Sequence, residues 1–149
     1  MANVAKQLAD LWSNQTVADL QNNAEIKQKI SINQLTEVLN KLLEHKQIVD
    51  LNEAKLALLE TTYNLKNCKN SEIMFRFLRL CIRAKQMNRF DQIIAFADSN
   101  FRMKFCRPIY RDLGQWPEVK PMAVEHFEKI RNQMMTVCAH TIAKDLGLK

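Results

Sequence analysis

The sequence predicts an all-α fold, and three observations carry that prediction. Apolar residues recur at helical spacing along almost the whole chain. No stretch alternates apolar and polar residues between turn signals, as a half-buried strand would. Two glycines and three prolines leave little punctuation in 149 residues. A composition of 47 % hydrophobic and 26 % charged residues is ordinary for a soluble helical protein. The length is that of a single domain, 1–149, able to bury about two-thirds of its unfolded surface.

Val4, Leu8 and Leu11 open a first amphipathic segment, and Val17 and Leu20 a second. Ser31 stands three residues before Gln34, the spacing of a capping box, and Ile32, Leu35, Leu39 and Leu42 then form one stripe. Asp50 and Glu53 repeat the cap signal ahead of Leu51, Ala54, Leu58 and Leu65. Asn67 to Asn70 breaks that helix, and Ser71 is placed to cap the next. Its stripe of Ile73, Phe77, Cys81 and Ala84 is widened by Leu78, Leu80 and Ile82. Phe90, Ile93, Ile94, Ala97 and Phe101 follow, interrupted by Asp98, Ser99 and Asn100, and then Cys106, Ile109, Tyr110 and Leu113. Pro117 and Pro121 suit a helix start, with Met122, His126, Phe127, Ile130 and Met134 beyond them. A last short helix, about Ala139 to Leu146, ends at Gly147, a natural residue for the left-handed position after a helix. Eight or nine helices of about 8–16 residues with short connections give antiparallel neighbours. The pattern alone fits both a compact bundle and a stack of helix pairs, and no fixed sequence period marks a repeat array.

Charge is distributed unevenly. Residues 1–70 hold eight lysines and eight acids, so the net charge of +6 comes from the second half, where all eight arginines lie beyond residue 75. Nine basic residues fall between Arg76 and Arg111 against two acids, Asp91 and Asp98. Arginine is suited to holding a carboxylate or phosphate in a fixed fork, so concentrated arginine points to an anionic ligand or partner. The apolar runs are far shorter than a membrane span, and residues 1–15 carry Lys6 and Asp10 without an apolar core of the signal-peptide kind. Cys68, Cys81, Cys106 and Cys138 are separated by 13, 25 and 32 residues, which reads as buried reduced thiols, a disulfide pair being the lesser alternative. These features together place the chain in the cytoplasm, with no membrane partner.

Catalysis by this chain alone has almost no support. His45, His126 and His140 share no metal-ligand spacing, and Gly114 and Gly147 alone cannot build a phosphate loop. No Gly-x-Ser-x-Gly elbow exists, and no spacing pairs a cysteine with a histidine. His126 falls on an apolar stripe and reads as a partly buried structural histidine. Two segments remain as candidates. Arg76, Arg79 and Arg83 lie on one helix face opposite the stripe of Ile73, Phe77 and Cys81, a pattern that a solvated face also explains. Phe101 to Leu113 interleaves basic and apolar residues, as would a helix whose cations snorkel past its core face. Specific nucleic-acid binding is not expected. Readers of single strands expose aromatics between cations for stacking, whereas Phe75, Phe77, Phe90, Phe101 and Tyr110 mostly fall near apolar stripes.

The same segments carry a resemblance. Asn70-Ser71-Glu72-Ile73, the run Arg76-Phe77-Leu78-Arg79-Leu80-Cys81-Ile82, Arg102-Met103-Lys104-Phe105, Arg107-Pro108 and Lys144-Asp145-Leu146 resemble the C-terminal helical domain of the leukotriene A4 hydrolase family and related, aminopeptidase B-like zinc aminopeptidases. The likeness is dense from about Leu65 to Lys149; over residues 1–60 mainly helix layout agrees. The resemblance implies antiparallel helix pairs stacked as an armadillo- or HEAT-like superhelix. It also implies that the domain is the last module of a larger zinc metallo-aminopeptidase with epoxide hydrolase-like relatives. Zinc would sit in a separate His-Glu-x-x-His domain, so no cofactor is expected in this chain. By the family pattern Arg102 and Lys104 match residues that bind the substrate's terminal carboxylate. A peptide or other anionic substrate would then be held jointly with the catalytic domain, this one closing the cleft. Phe101 stands where a glycine is common and Cys106 where a threonine is common, which leaves both anchor residues in place. The alternative reading is a stand-alone helical adaptor for an acidic protein partner, or a weak binder of nucleic acid.

For the anchor segment two geometries are open. Pro108 biases Arg107 away from the helical region and suits a helix beginning near 108, with 102–106 irregular. If the helix starts near Met103 instead, Lys104 lies in its first turn, where exposed amides assist anion binding.

Overall fold

The computed structural model describes residues 2–148. Among these the chain forms nine α-helices and four short 3-10 turns, and no strand. The helices are α1 (Ala2–Asn14), α2 (Val17–Gln21), α3 (Ile32–Glu44), α4 (Glu53–Thr62), α5 (Ser71–Arg83), α6 (Phe90–Ser99), α7 (Met103–Gly114), α8 (Lys120–Ile130) and α9 (Thr136–Asp145). The chain divides into two compact units, Met1–Ala84 and Lys85–Lys149.

In the first unit α3 packs on both α1 and α5. The pairing register shows that these three helices run in the same direction. Asp10 of α1 meets His45 at 3.5 Å, and the Val49 amide, further along, bonds the Ser13 carbonyl at 2.8 Å. The end of α5 likewise reaches the end of α3, where Arg83 donates to the Leu42 and Leu43 carbonyls at 3.3 and 3.4 Å. The segments containing α2 and α4 are the returns, so helix pairs are stacked with every second helix parallel. Leu8, Trp12, Leu39, Leu42, Leu56 and Phe77 are fully buried in this unit.

Each parallel helix ends in carbonyls that lack an intrahelical donor, and two cations supply donors. Arg83 serves α3. Lys55 of α4, only 1 % exposed, serves α1: its ammonium donates to the carbonyls of Trp12 at 2.6 Å, Gln15 at 2.9 Å and Val49. This corrects the expected face of α4. Lys55, Leu56, Leu59 and Glu60 are buried, while Leu51 and Leu58 are half-buried and Ala54 is exposed. A lysine directed inward to satisfy three carbonyls outweighs the position of one leucine.

Two caps also move. Asn52, not Asp50, caps α4, its side chain accepting from the Lys55 amide at 3.1 Å, while Asp50 takes a left-handed turn with φ 54°. Asn70 rather than Ser71 caps α5, its side-chain oxygen accepting from the amides of Glu72 at 2.9 Å and Ile73 at 3.3 Å; Ser71 is already helical. Only the residue with extended backbone can turn its side chain back onto the first amides. The Ser31–Gln34 capping box is present as expected, with both reciprocal hydrogen bonds, at 3.1 and 2.8 Å.

In the second unit α7 packs on α6, α8 and α9. Here α7 and α9 are the parallel pair. The Cys138 thiol donates to the Phe101 carbonyl at 3.8 Å, Arg107 pairs with Asp145 at 2.9 Å, and Gly114 lies against Leu146. Tyr110 of α7 meets Phe127 of α8 edge-to-face, with ring centroids 5.6 Å apart. Pro121 lies in the first turn of α8, as predicted. The last helix begins at Thr136, earlier than the predicted Ala139, and Gly147 follows it with φ 77°. The amides of Gly147 and Leu148 close back onto the carbonyls of Lys144 at 3.1 Å and Ala143 at 2.7 Å. This two-bond closure needs a left-handed residue. Gly147→Ala is therefore expected to cost about 1 kcal/mol in urea unfolding, with an unchanged midpoint contradicting that role.

Candidate functional site

Of the two candidate segments, the one in α5 resolves into local structural tasks. Arg76 donates to the Glu72 carbonyl at 2.9 Å and to its carboxylate at 2.8 Å. The Arg79 guanidinium stands 5.6 Å from the centre of the Phe75 ring, and Arg83 caps α3. All three are half-buried rather than fully solvated. The neighbouring aromatics Phe75 and Phe77 are buried, as are Phe90 and Tyr110, while Phe101 is half-buried. Side chains that face the core offer no stacking surface for bases.

The second segment is the start of α7. Of the two geometries open to it, the helix begins at Met103, with Arg102 as its extended cap residue at φ −62° and ψ 133°. The expectation of an irregular approach over 102–106 is thereby corrected: Pro108 sits inside the helix. The first turn is nevertheless formed, since the amides of Phe105 and Cys106 both bond the Arg102 carbonyl at 2.9 Å. The Arg102 side chain does not cap the helix, and an α-helix presents its first amides outward as an anion-attracting end.

Arg102 and Lys104, two residues apart, diverge on a helical wheel. The extended cap residue offsets this. The Arg102 guanidinium lies 5.8 Å and the Lys104 ammonium 5.4 Å from the centre of one ring, that of Phe105. The two charges are therefore separated by no more than the sum of those distances. Both side chains are exposed, whereas Phe105 is only 4 % exposed and meets Phe96 edge-to-face at 6.1 Å. Behind them the Cys138 thiol holds the Phe101 carbonyl, and the Asp145 carboxylate binds Arg107 and raises its pKa. Two exposed cations thus stand within range of one buried ring at a helix N-terminus, an arrangement that can take a carboxylate or another oxyanion.

The neighbouring thiols are not poised as nucleophiles. Burial, with smaller contributions from Cys138 and Asp98, pushes the Cys106 thiol up to about 12, and burial also raises Cys138 and Tyr110. A neutral buried thiol is inert. His126, expected to be partly buried and structural, is half-buried and bonds Asp98 through Nε2 at 2.8 and 3.0 Å. It lines an open cleft of about 600 Å³ with Met87, Phe90, Ile94 and Met122. Among the described residues no three His, Cys, Asp or Glu side chains are placed to hold a metal ion, and no helix is long and apolar enough to cross a membrane.

Sequence reasoning did not single out two groups. Lys55 is signalled by its place one residue before Leu56 and four before Leu59. Phe105 is signalled by its spacing of three from Arg102 and its position next to Lys104.

Comparison with known proteins places the chain in a family. The profile described as leukotriene A4 hydrolase, C-terminal, matches residues 30–146. Leukotriene A-4 hydrolase of Xenopus laevis is 39 % identical over 149 residues, covering 99 % of this chain and 24 % of that protein. Leucine aminopeptidase 2 of Vanderwaltozyma polyspora is 30 % identical over 158 residues, covering 98 % of this chain and 24 % of that protein. Among solved structures, yeast leukotriene A4 hydrolase in complex with bestatin aligns with a TM-score of 0.82 at 26 % identity, covering 99 % of this chain and 26 % of that one. The likeness thus extends through the first sixty residues, where the sequence alone offered mainly helix layout. The chain spans about a quarter of the length of these curated relatives.

Proposed function

The chain belongs to the leukotriene A4 hydrolase C-terminal family, and we propose that it serves as the non-catalytic helical module of a zinc aminopeptidase, closing the substrate cleft and anchoring the substrate's terminal carboxylate through Arg102 and Lys104. The observation that carries this reading is the placement of those two cations within cation–π range of one ring, that of Phe105, at the start of α7. The names of the relatives, a hydrolase and aminopeptidases, support it, as does the fraction of their length that this chain spans. The His, Cys, Asp and Glu side chains described here do not fit a zinc site. The metal is therefore assigned to the part of the parent protein that this chain does not cover. This chain's own residues bind and orient; they transfer no proton.

A charge-assisted hydrogen bond contributes roughly 1.5–3 kcal/mol, so losing the substrate's charge should be felt directly. In the full-length protein a tripeptide with a free terminal carboxylate is expected to show a KM about tenfold below that of its amide, and added salt should narrow the gap. Equal KM values for acid and amide, at low and high salt, would rule out the anchor.

A further inference from the structure

The two cations and the ring beneath them belong together. Arg102 and Lys104 are exposed and carry long, flexible stems, and their like charges repel; left alone, each would sample its own region of solvent. Yet both stand within cation–π range of the same ring, at 5.8 and 5.4 Å. That ring is not itself mobile. Phe105 is 4 % exposed and set edge-to-face on Phe96 at 6.1 Å and 79°, while its backbone amide is fixed on the Arg102 carbonyl at 2.9 Å. Phe96 comes from α6, so the support is tied to a second helix of the same unit.

We propose that Phe105 is the positioning residue of the anion anchor, its ring holding both Arg102 and Lys104 close to it before any substrate arrives. The proposal rests on reading that pair as the carboxylate anchor. The ring quadrupole attracts both cations and so offsets their mutual repulsion, which an aliphatic side chain of similar size cannot do. An arriving carboxylate then meets two donors already held at one ring, and less side-chain freedom is lost on binding. Phe105 does not touch the substrate; it acts through the cations.

The test separates the electronic role from packing. In the full-length protein, Phe105 is replaced by a ring-fluorinated phenylalanine, which keeps the shape and drains the quadrupole; Phe105→Leu is the second variant. With lysine and arginine selectively labelled, the side-chain methylene protons of Lys104 and Arg102 are expected to resonate upfield in the wild type. They should move toward solvent values on fluorination and lose the shift in Phe105→Leu. Fluorination is expected to raise KM for a free-acid tripeptide roughly threefold, leaving the amidated substrate unchanged. Absence of the upfield shift overturns the proposal. So does a fluorinated protein with wild-type KM while Arg102→Ala still discriminates acid from amide, and in that case the anchor reading stands without Phe105. If Arg102→Ala affects acid and amide alike, the anchor reading fails and the proposal falls with it.

Discussion

Exchanging Lys55 for methionine is expected to lower the unfolding free energy of the chain by about 1–3 kcal/mol, the range for leaving a buried carbonyl acceptor unsatisfied. Methionine keeps the apolar stem, so the loss comes from the ammonium that now serves the carbonyls of Trp12, Gln15 and Val49. Two of these belong to the end of α1, which then meets α4 through unsatisfied acceptors. The substitution also changes how stability depends on pH. Burial pushes the Lys55 ammonium down to about 8 from 10.5, outweighing the opposite pull of Asp50. Above pH 8 the folded chain releases this proton while the unfolded chain keeps it up to 10.5, so the unfolded state binds more protons in that window. Stability from this group therefore rises with pH between the two values and is lost as pH falls back through the lower one. Urea unfolding of wild type and Lys55→Met across that window should show the gap between them widening, by at most about 3 kcal/mol. Parallel pH profiles would contradict the assignment.

The helices were legible in the sequence because most bury one continuous apolar stripe, and periodicity reports such stripes directly. Leu35, Leu39 and Leu42 in α3, and Ile73, Phe77 and Cys81 in α5, are buried as their spacing predicts. The face of α4 was not legible, because its buried side is defined partly by Lys55 and Glu60, charged residues that a hydrophobic pattern assigns to solvent. Whether a lysine turns inward depends on carbonyls some forty residues away in the sequence. Arg83 was misleading for the same reason: its partners at the end of α3 are distant in sequence, so a capping arginine read as part of a candidate surface. At the start of α7 the residues were legible and the backbone was not. Pro108 argues locally for a later helix start, yet the packing of Phe105, Cys106, Ile109 and Tyr110 into the unit continues the helix through it. The approach of both Arg102 and Lys104 to the Phe105 ring goes with that earlier start and the extended cap residue.

Arg102→Ala is expected to have the largest effect on function, because a contact remote from the scissile bond positions it. Removing one partner of a hydrogen-bonded charge pair costs about 2–5 kcal/mol, and binding energy realised at the far end of a substrate is lost from turnover as well as from affinity. Lys104 remains in the variant, so part of the attraction persists, and Lys104→Ala is expected to be milder. A lysine is a point charge on a flexible stem, whereas arginine offers a fork matched to a carboxylate. The double variant should exceed either single one without reaching their product, since both cations act on one group.

The most direct test of the anchor is kcat/KM of full-length Arg102→Ala on two matched tripeptides, one with a free terminal carboxylate and one amidated. A loss of at least about tenfold on the free acid, with the amide nearly unaffected, is the predicted result. Equal losses on both substrates, or no loss on either, would make Arg102 a structural arginine and contradict the proposed function.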